Sequence, residues 1–123
     1  MKFITKRIHA FLDYPVALAL MIFPFILGLG SSNPLALQLS VATGIAALIL
    51  TLFTDHHLGV FKIIPYKGHL LVDFIVGLTF VIAPFVFSFK GIDSYYYWLI
   101  GGTVLTVVSL HKPEEVTTNT IRN

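Results

Sequence analysis

Two imidazole–carboxylate pairs carry the chemistry this chain can offer: His9 with Asp13, and His69 with Asp73. Each is a His-x-x-x-Asp spacing, and residues four apart share a helix face, so each histidine can touch its aspartate. Three kinds of chemistry follow. The pairs can hydrogen-bond among themselves as a structural clasp. They can ligate a divalent transition metal, because imidazole and carboxylate together suit Zn, Fe, Ni, Cu or Mn, and an aspartate behind a histidine is a common orienting arrangement. They can also carry protons, since histidine titrates near neutral pH.

For a metal, the candidate residues are His9, His69 and one of His56 or His57, with Asp13 and Asp73 as ligands or orienting groups. The same histidines can ligate haem, with nothing favouring it over a bare ion. No His-Glu-x-x-His pattern is present, and the absence of cysteine removes thiolate sites and disulfides alike. A proton relay lacks stepping stones, because the far halves of the apolar stretches carry no charged residue, and Thr43, Thr79 and Thr103 are poor substitutes. Enzymatic chemistry has less support. Ser31, Ser32, Ser40, Ser88 and Ser109 have no histidine or carboxylate at a nucleophile spacing, and no phosphate-cradling loop occurs. The favoured reading is a structural or accessory bundle held by a polar clasp, with metal binding and then ion movement as alternatives.

The elements that must position these residues are apolar. The chain is 56% hydrophobic and 11% charged, against a soluble norm of about one quarter charged. Four apolar stretches run roughly from residues 8 to 29, 34 to 54, 69 to 89 and 95 to 110. About 20 residues cross a ~30 Å hydrocarbon core, so the first three suffice and the fourth needs its flanks. The first stretch exceeds the length of a cleaved signal's apolar region and is broken by Asp13 and Pro15, so it reads as a retained span.

Four spans place the termini and the central connection on one side. That side holds Lys2, Lys6, Arg7, Lys62, Lys67, Lys112 and Arg122, against Lys90 alone on the other. By the positive-inside rule both termini are cytoplasmic. The net charge of +2, so distributed, is no sign of nucleic-acid binding. The expected partners are the lipid bilayer and a second copy or a larger membrane complex. The far turns, around 30–34 and 90–94, carry Gly, Ser, Asn and Pro, with Pro34 suited to open a helix. Tyr95, Tyr96, Tyr97 and Trp98 read as anchors at the outer interface. The connection at 55–67 mixes charges with Val60, Phe61, Ile63 and Ile64, as a segment lying in the inner interface would. The tail from 112 to 123 is polar.

The opening pairs belong to a longer repeat. His9, Asp13, Pro24 and Phe25 recur sixty residues later as His69, Asp73, Pro84 and Phe85, and Gly44 aligns with Gly102 at a slightly shorter offset. Both halves start on the same side, which makes them parallel repeats about a pseudo-two-fold axis along the membrane normal. The expected fold is therefore all-α, with four transmembrane helices in one membrane domain. Repeat 1 covers about 8–54, the connection 55–67, and repeat 2 about 68–111. Each Pro lies roughly 22 Å along its helix from the histidine and should bend or end it, a structural role for Pro24 and Pro84.

A span opening on His-x-x-x-Asp, closing on Pro-aromatic and followed by a second span resembles the SPW-repeat family of small bacterial membrane proteins. Thr54, Asp55, Gly59, Ile64 and Pro65 match further positions of its two-repeat members. The namesake Ser-Pro-Trp reads Phe23-Pro24-Phe25 and Ala83-Pro84-Phe85 here, so only the proline is kept in both copies. The resemblance implies the four-helix fold and a place in the bacterial cytoplasmic membrane, and no particular activity. Under the two-fold, Asp13 and Asp73 should leave the lipid and meet near the axis, because a carboxylate facing hydrocarbon is costly. Replacing them should therefore matter more than replacing Ser31 and Ser32.

Overall fold

A computed structural model of the chain describes residues 6–54, 59–61 and 63–110. The expectations placed on Lys2, Asp55, His56, His57, Lys62 and the polar tail lie outside the described residues. The described chain forms α1 (Lys6–Ile26), α2 (Leu35–Phe53), α3 (Tyr66–Val86) and α4 (Ile92–Ser109). It contains no strand, only an isolated bridge between Thr54 and Ile64. Helix α1 packs along α2, and α3 along α4, giving two hairpins. Both tight turns lie at one end of the bundle, the turn end. The α2–α3 connection marks the other.

Helices α1 and α3 stop by the same device. The Leu29 N–H bonds the Pro24 carbonyl at 2.9 Å, and the Phe89 N–H bonds the Pro84 carbonyl at 3.0 Å. This six-to-one closure requires a left-handed residue just past the helix, and Gly28 (φ 69°) and Ser88 (φ 58°) supply it. Each helix thus runs two residues beyond its proline and ends, with Pro24 and Pro84 buried. Pro15 does not break α1, which continues through it. Within a membrane helix the lost bond can be compensated locally.

Inside each hairpin a glycine lets a helix backbone approach closely. A Cβ on Gly44 would stand 2.8 Å from the Ala17 carbonyl, and one on Gly101 would stand 2.9 Å from the Gly77 carbonyl. A Cβ on Gly102, the residue aligned with Gly44 in the sequence, would meet nothing within 4 Å, so Gly101 rather than Gly102 makes the close contact in the second hairpin.

The packed core occupies the turn end. Leu20, Leu29, Ala36, Phe80, Ala83, Phe89, Tyr96 and Tyr97 are all buried there. Tyr97 stacks on Phe80 with ring centroids 4.5 Å apart and touches Phe89 at 4.8 Å. Of the four aromatics read as interface anchors, only Tyr95 and Trp98 face outward. Tyr96 and Tyr97 turn inward because their hydroxyls find partners on α2: Tyr97 donates to the Ala36 carbonyl at 2.7 Å, and Tyr96 meets Ser40 at 2.7 Å.

Most of the remaining surface is apolar, with Phe25, Ile26, Phe85, Val86 and Leu99 among the most exposed side chains. Such a surface is unsuited to water. Three helices, α1, α2 and α3, are long and apolar enough to cross a membrane. At the connection end the chain folds back on α2, where the Val60 and Phe61 N–H groups both reach the Leu52 carbonyl.

Ser88 holds a backbone conformation that costs an L-residue about 1 kcal/mol relative to glycine. Ser88→Gly should therefore raise unfolding stability by about that amount, and Gly28→Ala should lower it. Thermal unfolding of the two variants in one detergent checks both signs.

Candidate functional site

The connection end brings the four residues of the opening pairs together. His9 and Asp13 project from the first two turns of α1, and His69 and Asp73 from the same level of α3. Both histidines are almost wholly buried, at 2% and 1% exposure. His9 Nε2 lies 3.1 Å from Asp13 in its own helix and 2.8 Å from Asp73 across the hairpin boundary. His69 Nε2 lies 3.3 Å from its own Asp73 and 3.2 Å from Asp13 across the boundary. Each imidazole thus faces both acids. The two rings meet at 89° with centroids 5.6 Å apart, and Tyr66 lies edge-on to His9.

Thr54, just past the end of α2, fixes the orientation of His69. Its hydroxyl lies 2.6 Å from the Leu50 carbonyl and 2.7 Å from His69 Nδ1. A carbonyl only accepts, so the single hydroxyl proton goes to Leu50 and the Thr54 oxygen must accept from Nδ1–H. The ring nitrogen aimed at the acids is then Nε2. That contact is attractive only when a cation, either a proton on Nε2 or a metal ion, stands between the acceptors.

Beside the cluster, all four helices line a cavity of about 310 Å³. Asp13, His69 and Asp73 form its polar end, and Val16, Leu50 and Val76 belong to its apolar wall. The hairpins therefore meet at both ends and leave space between.

At the turn end a second polar knot joins them, one that the pattern of histidines does not reveal. Asp93, fully buried at the start of α4 and ahead of its apolar run, accepts from the Gly30 N–H at 2.9 Å, the Ser32 N–H at 3.0 Å and the Ser32 hydroxyl. Ser32 in turn accepts from the Lys90 N–H, and Asn33 donates to the Phe87 carbonyl. Ser32 is therefore no neutral control for Asp13 and Asp73, because its hydroxyl closes this knot. The available signal was positional: Asp93 stands sixty residues after Asn33, a turn residue in the equivalent place. Burial pushes the Asp93 carboxyl up. The Ser32 hydroxyl and the Gly30, Ser32 and Asn33 N–H groups outweigh it and hold the carboxyl below the usual carboxylate range.

The SPW repeat domain matches residues 7–112, which spans both hairpins and both polar knots. The chain belongs to the SPW repeat family. Nothing among curated proteins or solved structures matches it. In this SPW repeat protein the proline of each motif is buried, while the aromatic that follows it, Phe25 or Phe85, faces outward at 63% or 73% exposure. An exchange of Trp for Phe there alters the outer surface and leaves the helix ending untouched.

The lowered Asp93 carboxyl stabilises the fold fully above the unfolded value of about 3.9 and loses that contribution as pH falls through the folded value. Asp93→Asn should thus be less stable than wild type at pH 7, and the gap should narrow as pH drops below about 4. Comparing the two proteins at each pH by thermal unfolding cancels the shared His/Asp cluster.

Proposed function

We propose that this SPW repeat protein is a four-span bundle of two parallel hairpin repeats in the bacterial cytoplasmic membrane. Both termini are cytoplasmic, and the bundle serves as a structural or accessory membrane subunit. Its hairpins are drawn together at the cytoplasmic end by a clasp of His9, Asp13, His69 and Asp73. The observation that carries this reading is the cross-pairing, in which each imidazole reaches the acid of the other hairpin as closely as its own.

The repeat reading is supported by contacts whose partners recur sixty residues apart, under glycines at a slightly shorter offset. Gly44 lies over Ala17, Leu20 and Met21, and Gly101 over Gly77, Phe80 and Val81. Lipid tails give helices no hydrophobic reason to associate, so packing and polar contacts must hold two hairpins together. With space between the hairpins beside the cluster, the clasp carries that task at its end. A relay of protons through the bundle has less support, because no titratable side chain lines the cavity beyond the cluster itself.

A double-mutant cycle tests the clasp. His9→Ala and Asp73→Ala, singly and together, should show a coupling of about 1 kcal/mol or more, since residues in direct contact rarely act additively. Independent, additive losses would remove the clasp. The orientation has its own test, eased by the absence of native cysteine. A single cysteine in place of Lys90 should react with an impermeant maleimide added outside the cell. One in place of Lys67 should react only after permeabilisation.

A further inference from the structure

The cluster that closes the bundle also has the composition and spacing of a metal site. We propose that His9, His69, Asp13 and Asp73 bind one divalent transition-metal ion, of the zinc or ferrous class, at the junction of the two hairpins, with Thr54 as the positioning residue for His69. The proposal rests on the cross-hairpin cluster described above, of which the clasp is the metal-free state.

Three observations carry it. One is convergence: each of the four residues offers one ligand atom, and these atoms all lie within 4.8 Å of one another. A tetrahedral ion with bonds of about 2.0–2.1 Å holds its ligand atoms about 3.3–3.4 Å apart. The contacts of His9 Nε2 with Asp13 Oδ1 at 3.1 Å and of His69 Nε2 with Asp73 Oδ2 at 3.3 Å approach that edge length. Asp13 turns its other oxygen, Oδ2, to His69 at 3.2 Å, so that one of its two oxygens becomes the ligand. The 2.8 Å contact between His9 and Asp73 must open by about half an ångström, and the remaining pairs of ligand atoms, all within 4.8 Å, must adjust to the same length.

The second is orientation. With Nδ1–H given to Thr54, the neutral imidazole of His69 presents its lone pair at Nε2, towards the acids. A proton-free imidazole so placed repels two carboxylates and attracts a cation. Metal-bound histidines are held in this manner, through the ring nitrogen that does not ligate.

The third is charge. Two carboxylates and a divalent ion sum to zero, which suits a buried place between apolar helices. The donor set narrows the class further: imidazole disfavours calcium and magnesium, and the lack of thiolate disfavours cuprous copper. Haem does not fit, because carboxylates fill the space between the two imidazoles where a macrocycle would lie.

The test uses the full chain in detergent, stripped with chelator and titrated with cobalt(II) as the probe. Expected results are one cobalt per chain, a visible absorption band of four-coordinate strength, stoichiometric displacement by zinc and a higher melting temperature with metal. Thr54→Val should weaken the affinity about 10- to 100-fold while the protein stays folded. No band and no melting shift at millimolar metal would overturn the proposal. So would an unchanged band in a folded His9→Ala/His69→Ala variant, or unchanged affinity in Thr54→Val. Failure here with coupling retained between His9 and Asp73 removes the metal and leaves the clasp. Metal binding without that coupling removes the clasp reading instead.

Discussion

An ionised carboxylate inside an apolar helix has nowhere to go but towards another polar group. Asp13 and Asp73 each lie about two turns into an apolar helix, where exposure to hydrocarbon costs several kcal/mol. The two histidines resolve this by facing both acids at once. The relative placement of the hairpins at that end follows: α1 and α3 must stand close enough for an imidazole of one to reach the carboxylate of the other. Thr54 then ties the end of α2 into the same arrangement through His69.

The turn end satisfies its buried polar group differently. Among the described residues Asp93 has no cation paired with it and relies on backbone and hydroxyl donors from the facing turn. Donors of this kind are held rigidly by the turn, so the knot fixes geometry without needing a titrating partner. The aromatic core of Phe80, Phe89 and Tyr97 lies beneath it and is densely packed. The connection end has less apolar filling and more chemistry. At the turn end Pro24 and Pro84 are the same, but other positions sixty apart differ, as with Asn33 and Asp93 or Gly28 and Ser88. At the connection end His9 and His69, and Asp13 and Asp73, are the same residues. The requirement there is shared by both hairpins, whereas each turn needs only local geometry.

Much of this is written in the chain itself. Helix number and approximate limits follow from apolar length, because a membrane helix must satisfy its own backbone and so extends as far as the apolar run allows. The meeting of the His/Asp pairs was legible because a carboxylate cannot be left in lipid and the spacing recurs. The ends of α1 and α3 were half legible. Pro24 and Pro84 mark the place, but the closure two residues later depends on the left-handed turn at Gly28 and Ser88.

What tertiary structure alone decided is the partnering of residues whose type allows several roles. Tyr96 and Tyr97 have the amphipathic character of interface anchors, and only the rotation of α4 against α2 puts their hydroxyls on Ser40 and the Ala36 carbonyl. Ser32 has the composition of an ordinary turn residue until Asp93 arrives from the other hairpin. Gly101 and Gly102 are indistinguishable by type, and one residue of helix rotation, about 100°, makes the first a close contact and leaves the second open. Residue type and period set which face of each helix is apolar and where it must end. The facing partner depends on rotation and on a neighbour distant in the chain, which no local pattern encodes.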